Sequence, residues 1–305
     1  MSIRFDGKVA IVTGAGNGLG RSHALELAAR GAKVVINDLG GARDGVGKSS
    51  EAADEVVRQI EAAGGEAFAH GANVAKFDEV EDMVKQTMEK WGRVDILINN
   101  AGILRDKTFA KMTMDDFRIV MDVHVMGSVN CTKAVWQIMR DQNYGRIVMT
   151  TSSSGMYGNF GQSNYGAAKM ALIGFMNTLV LESAKYDIRI NTLAPTAGTR
   201  MTEDLMPPEI LAMLNPESVT AGALVLVHSD SPNRTILCAG AGGYAKTGLF
   251  ETEGIFLPAA EQTPENVVEQ WDTIVNMDNQ QELLSGGKQT EKFLGKAMAY
   301  LESQK

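Results

Sequence analysis

"KVAIVTGAGNGLGRSHALELAARGAKVVIND", residues 8–38, holds two apolar runs with a helical pattern between them. Val9-Ala10-Ile11-Val12 is a short uninterrupted apolar run, as expected of a strand buried on both faces of a parallel sheet. Glycines at 14, 16, 18 and 20 interrupt it, and from Leu19 the apolar residues recur at helical spacing until Gly31. Val34-Val35-Ile36 then repeats the apolar run. Two strands that run the same way need a crossover between them, and a helix is the usual one. The stretch therefore predicts an α/β chain.

The same alternation continues outward. Helices are predicted at 48–65 and 78–92, strands at 66–74, 94–102, 145–153 and 188–195, and long helices at 114–142 and 164–186. Strict alternation predicts a doubly wound parallel sheet, a Rossmann fold, covered on both faces. After Pro195 the pattern loosens. A loop with small helices and one further helix is expected over 196–232, a last strand with Gly-rich turns over 234–250, and polar helices over 263–277 and 290–304. The expected organisation is one domain, 1–257, with a helical C-terminal extension, 258–305.

Among 305 residues, 44% are hydrophobic, 22% are charged and 32 are Gly, which is enough apolar material for a full core. The formal charge of -8 argues against general affinity for nucleic acid or an anionic membrane, so small-molecule partners are expected. Cys131 and Cys238 are too few for a disulfide framework or a structural zinc site, and no metal is expected. A reducing, cytoplasmic setting is the expectation. No secretory pattern precedes Val9, no apolar run nears the ~18 residues of a membrane helix, and the final Glu-Ser-Gln-Lys is not a Ser-Lys-Leu address.

Candidate chemistry sits at the ends of the predicted strands. Thr13-Gly14-Ala15-Gly16-Asn17-Gly18-Leu19-Gly20 links the first strand to the first helix, where a tight turn brings free helix N–H groups and a positive dipole end to a pyrophosphate. Asp38 ends the second strand, where a carboxylate accepts from both adenosine-ribose hydroxyls and repels a 2′-phosphate, which favours NAD over NADP. Arg43 in the following loop leaves some NADP tolerance open. Asn73-Val74 would lie over the adenine, and Asn99-Asn100-Ala101-Gly102 offers small residues where the backbone approaches the cofactor.

Thr-Gly-x-x-x-Gly-x-Gly at 13–20, Asn-Asn-Ala-Gly at 99–102, Ser152, and Tyr-x-x-x-Lys at 165–169 together resemble the short-chain dehydrogenase/reductase family over roughly residues 5–200. The resemblance implies Ser152, Tyr165 and Lys169 as catalytic residues, with Ser153 and Ser154 as neighbours that could mimic Ser152. It implies cofactor contacts at Gly14, Gly16, Asn17, Gly18, Leu19, Asp38, Asn73, Val74, Asn100, Ala101, Gly102, Tyr165, Lys169, Pro195, Ala197, Gly198 and Thr199. Tyr165 and Lys169 fall on one helix face, one turn apart. To act as a base near neutrality the phenol, with pKa about 10, must be lowered by roughly 3, about 4 kcal/mol, which the Lys169 ammonium and a nicotinium charge can supply. Where the family usually has Asn in an Asn-x-x-Gly motif, this sequence has His124. His124 either completes a proton relay or is a packed core histidine.

Finer resemblance narrows the substrate. "INDLGG", "GVGKSSEAADEVV", "NNAGILRDKTFAKM", "SGMYGNFGQSNYGAAK" and "TLAPTAGTRMTE" resemble the (3R)-3-hydroxyacyl-CoA dehydrogenase domains of peroxisomal multifunctional enzymes. The implied activity is oxidation of (3R)-3-hydroxyacyl-CoA with NAD. The alternatives are 17β-hydroxysteroid dehydrogenase activity on free steroids, or an NAD-sensing protein without turnover. Met156, Tyr157, Met201, Leu205, Met206, Leu211 and Met213 could line an apolar pocket for an acyl chain or steroid, and Lys107, Lys111 and Arg200 could meet CoA phosphates. A homodimer or homotetramer is implied, packed through the two long helices.

Overall fold

The computed structural model describes residues 2–42, 44, 45, 47, 49–198, 207, 209 and 213–305. It divides into two compact units, Met1–Lys246 and Thr247–Lys305, a division upstream of the expected 257/258. The first unit is built on one sheet in the order β3-β2-β1-β4-β5-β6-β7-β8. Its strands are β1 (Val9–Thr13), β2 (Lys33–Asn37), β3 (Glu66–His70), β4 (Ile96–Asn99), β5 (Gly145–Thr150), β6 (Ile188–Thr196), β7 (Ile236–Gly240) and β8 (Gly243–Thr247). From β3 through β7 every neighbouring pair is parallel.

Each strand alternates its side chains between two cores, as a period of two requires. Ala10, Val12, Val34, Ile36, Ile96, Ile98, Val148 and Leu193 pack with α1 (Gly18–Ala29), α2 (Glu51–Ala62) and α8 (Pro216–Val225) on one face. Ile11, Val35, Leu97, Ile147, Met149 and Ile190 pack on the other with α3 (Phe77–Trp91), α5 (Gly127–Gln142) and α7 (Ser163–Glu182). Burial on both faces accounts for the uninterrupted apolar runs. The strand order reverses direction between β1 and β4, and a crevice opens there at the strands' C-terminal ends.

Several expected elements differ in detail: the strands predicted over 66–74 and 94–102 stop at His70 and Asn99, and the last strand expected over 234–250 is divided between β7 and β8. The helix predicted over 114–142 is three pieces: α4 (Met114–Met121), one π-helical turn (Asp122–Met126) and α5. The strand predicted over 145–153 stops at Thr150, and Ser153–Tyr157 forms a short helix, α6.

The second unit holds a two-residue antiparallel ladder that the sequence patterning does not show, β9 (Phe250–Glu251) against β10 (Gln281–Glu282). Its helices are α9 (Pro264–Glu269), α10 (Trp271–Ile274) and α11 (Gly286–Ser303). Lys292 and Lys296 of α11 pair with Glu251 at 3.0 Å and Glu253 at 2.8 Å, and Phe256 meets Tyr300 at a ring separation of 5.3 Å. Among the described residues, no helix is long and apolar enough to cross a membrane.

Candidate active site

The crevice between β1 and β4 is a cavity of about 360 Å³. Its walls include Gly14, Asn17, Gly18, Leu19, Asp38, Asn73, Val74, Asn100, Ala101, Gly102, His124, Tyr165, Lys169 and Pro195, so most of the expected residues meet in one place.

Glycine is required at the β1–α1 turn for two reasons. Gly14 has φ +62°, and a Cβ there would lie 2.9 Å from the Ala101 Cα. A Cβ on Gly20 would lie 2.2 Å from the Gly14 carbonyl oxygen. The turn is braced from behind by Thr13, a residue whose part the sequence reading missed. Its hydroxyl accepts from the N–H groups of Asn100 and Ala101, each at 3.0 Å. The Asn100 amide donates to the carbonyls of Thr13 at 2.9 Å and Gly14 at 3.1 Å. Asn17 caps α1 without a side-chain hydrogen bond, and Asn17, Gly18 and Leu19 line the cavity, so the first turn of α1 faces it.

Asp38 accepts from the Gly16 N–H at 2.8 Å and the Gly40 N–H at 2.7 Å, which fixes its carboxylate at the cavity wall. Asn73 and Val74 are held from both sides. The Asn73 N–H donates to Glu79 at 2.8 Å, and the buried Asn130 amide donates to the Val74 carbonyl at 2.9 Å. Ala197 is buried in the core, and the Gly198 N–H donates to the Leu214 carbonyl. Arg43, Thr199, Arg200, Met201, Leu205, Met206 and Leu211 lie outside the described residues.

Tyr165 sits in the first turn of α7, and Lys169 follows one turn later. Of the three neighbouring hydroxyls, Ser152 is hydrogen-bonded to Tyr165, and it also accepts the Ser154 N–H at 3.1 Å. Ser153 is exposed. The Lys169 ammonium is buried, donates to the Thr150 carbonyl at 2.6 Å and lies 5.4 Å from the centre of the Tyr165 ring. A Cβ on Gly155 would meet the Met170 nitrogen at 2.8 Å, so a small residue there lets α6 rest on α7 and bring Ser152 to Tyr165.

Burial opposes the ionisation that a base at Tyr165 requires. Burial pushes the Tyr165 phenol up to about 12; the Ser152 bond opposes this and Asp106 adds to it. Burial also lowers Lys169 to about 7. The chain's own residues therefore hold the phenol protonated at neutral pH, and Lys169 alone does not lower it. A phenolate needs a further positive charge in the cavity.

His124 lies in the π-helical turn, with its ring edge-on to Tyr165 at 5.3 Å. Its Nε2 stands 2.9 Å from the Ile103 carbonyl oxygen and 3.1 Å from the Ile103 nitrogen, so that nitrogen has a partner in either tautomer. Burial and then Lys169 hold the imidazole well below its usual pKa range, against the bond to Ile103, and the ring is neutral. The ring packs on Gly102, where a Cβ would lie 2.4 Å from its Cε1. His124 Nδ1 and Thr150 Oγ1 are buried on the cavity wall without a protein hydrogen-bond partner among the described residues.

Lys107 and Lys111 have different surroundings. Lys107 donates to Asp116 at 2.7 Å, and that contact with the Thr113 hydroxyl holds the Asp116 carboxyl at about 2. Lys111 is exposed. Met156 is half-buried, whereas Tyr157 and Met213 are exposed.

The arrangement fits a dinucleotide: a glycine turn only glycine can make, a helix end open to the cavity, a fixed carboxylate, and two unpartnered polar atoms beside a phenol and a buried amine. Comparison with known proteins agrees. Residues 8–209 match the family described as short chain dehydrogenase. The chain is 48% identical over 283 residues to peroxisomal multifunctional enzyme A of Dictyostelium discoideum, covering 92% of this chain and 62% of that protein. It therefore spans about three-fifths of that relative's length. The structure of full-length peroxisomal multifunctional enzyme type 2 from Drosophila melanogaster superposes with a TM-score of 0.81 at 37% identity, over 99% of this chain and 51% of that one. A 7α-hydroxysteroid dehydrogenase complexed with NADH and 7-oxo-glycochenodeoxycholic acid superposes with a TM-score of 0.71 at 31% identity, over 79% of this chain and 95% of that one.

Proposed function

The chain belongs to the short-chain dehydrogenase family, and from that premise we propose that it oxidises (3R)-3-hydroxyacyl-CoA thioesters to 3-oxoacyl-CoA with NAD. The observation that carries the reading is the placement of the Ser152-bonded Tyr165 hydroxyl beside buried Lys169, in the same cavity as the glycine turn. A bound oxidised nicotinamide would supply the hydride acceptor and a positive charge beyond that of Lys169. Tyr165 then takes the hydroxyl proton of the substrate, and the Ser152 hydroxyl donates to the oxygen as it becomes a carbonyl. Lys169 orients the site through its bond to Thr150. His124 Nδ1 serves as an acceptor for a water that carries the proton away from Tyr165.

The test is NADH absorbance with 3R and 3S hydroxyacyl thioesters, from short chains to a steroid side chain, and free 17β-hydroxysteroids in parallel. Turnover confined to the 3R thioesters is expected. Turnover of the free steroids alone would replace the reading with the 17β-hydroxysteroid one.

Asp38 sets the choice of NAD over NADP by repelling a 2′-phosphate. Asp38→Asn is expected to raise the ratio of kcat/KM for NADP over NAD at least tenfold, about 1.4 kcal/mol. The substitution also weakens the clamp on the Gly16 and Gly40 N–H groups, so Tm should fall as well. An unchanged coenzyme ratio would remove Asp38 from the specificity argument.

A further inference from the structure

Phe160 is 89% exposed and Phe109 is 73% exposed, yet neither sits on a loose segment. Phe160 occupies the connection between α6 and α7, five residues before Tyr165. Gly158 at φ +80° and Gly161 at φ +81° bracket it, and the Gln162 N–H closes the turn on the Asn159 carbonyl at 3.2 Å. Two further bonds pin this turn to the segment after β4: the Lys107 N–H to the Gly161 carbonyl at 2.9 Å, and the Gln162 amide to Asp106 at 2.6 Å. Phe109 opens a one-turn 3₁₀ helix on that segment, Phe109–Lys111, held by the Lys111 N–H on the Thr108 carbonyl at 2.8 Å.

Holding two large apolar rings in water on hydrogen-bonded turns is unfavourable unless something covers them. Their chain neighbours are polar or small, Thr108 and Ala110 beside Phe109, Asn159 and Gly161 beside Phe160. Rings set apart in this way suit a flat heterocycle, which needs only a ring face, better than a protein interface, which needs a contiguous apolar centre. The cations on the same segment complete the case. Lys107 is engaged with Asp116, and Arg105 donates to the Asp44 carbonyl at 2.8 Å, whereas exposed Lys111 has no acidic partner among the described residues.

We propose that Phe160, Phe109 and Lys111 form a surface subsite, on the joined α6–α7 connection and segment after β4, for the adenine nucleotide end of a CoA thioester. The rings stack on the purine and Lys111 meets the ribose 3′-phosphate. The proposal rests on the acyl-CoA reading of the active site and adds to it the residues that would distinguish CoA from a shorter thiol carrier.

The experiment measures binding of adenosine 3′,5′-bisphosphate by calorimetry, with NAD saturating the dinucleotide site. Wild-type binding is expected, and Phe160→Ala should weaken it roughly tenfold, as loss of one stacking face does. Phe160→Trp should keep it. Lys111→Ala should abolish the preference for the 3′,5′-bisphosphate over the 5′-monophosphate. On turnover, Phe160→Ala should lower kcat/KM for the CoA thioester by the same factor and leave that for the pantetheine thioester unchanged. No binding by the wild type, or equal binding by wild type and Phe160→Ala, would overturn the subsite. Intact nucleotide binding without turnover of any thioester would instead remove the acyl-CoA reading and leave the nucleotide site standing.

Discussion

Exchanging Tyr165 for Phe is expected to lower kcat for alcohol oxidation by on the order of 10³-fold, within the range that general acid–base groups supply. The ring itself remains, edge-on to His124 and beside Lys169, so packing and the cavity wall are preserved. What disappears is the oxygen bonded to Ser152. NAD affinity should therefore stay within about threefold of wild type, since the glycine turn, Asp38 and the first turn of α1 are untouched. The pH profile carries a second signature. Burial raises the phenol, so the reactive phenolate grows with pH, and the wild-type rate should climb into the alkaline range. The residual rate of the variant should lack that limb. A variant that keeps a tenth of the activity would show that Tyr165 is not the base. If the wild type turns over no substrate and the Tyr165→Phe variant keeps both NAD affinity and cellular effect, the protein is a sensor.

The sheet was legible because its two buried faces impose uninterrupted apolar runs, and the glycines at 14, 16, 18 and 20 mark a turn where a Cβ at Gly14 or Gly20 would meet backbone. The separation of Tyr165 from Lys169 likewise fixed their common face. Other parts leave weaker traces. The π-helical turn at Asp122–Met126 contains no Gly or Pro to punctuate the helical pattern, so the sequence reads as one continuous helix there. Thr13 and Asn130 act on backbone groups brought near from distant segments, and single polar residues in apolar runs do not announce such partners. The depressed Lys169 and raised Tyr165 depend on how completely the helix is covered, which spacing alone does not contain.

Arg146 is the polar residue whose loss should cost the fold most, and no motif marks it. It begins β5 at the end of the sheet opposite the active site, with its side chain only 1% exposed. The guanidinium donates to the carbonyls of Gly145 and Asp187, each at 2.8 Å, His228 at 3.1 Å and Ser229 at 2.5 Å, and to the Asp187 carboxylate at 3.0 Å. Its face lies 4.2 Å from the centre of the Tyr144 ring. One side chain thus ties the start of β5 to the turn before β6 and to the turn after α8. The Asp187 carboxylate is 42% exposed, so solvent screens that pair and the carbonyl bonds carry most of the value. Arg146→Met preserves much of the volume and removes every donor, leaving buried carbonyls unpaired. The expected loss is about 3–5 kcal/mol, a fall in Tm on the order of 10 °C. Arg146→Lys should recover little, because an ammonium cannot span carbonyls from three segments at once. Since Tyr165, Ser152 and Lys169 lie at the other end of the strands, kcat and KM of the folded variant, measured well below its Tm, should match wild type. A variant with normal Tm would show that the carbonyls find water instead, and one with normal Tm but altered kcat would place Arg146 in communication with the active site.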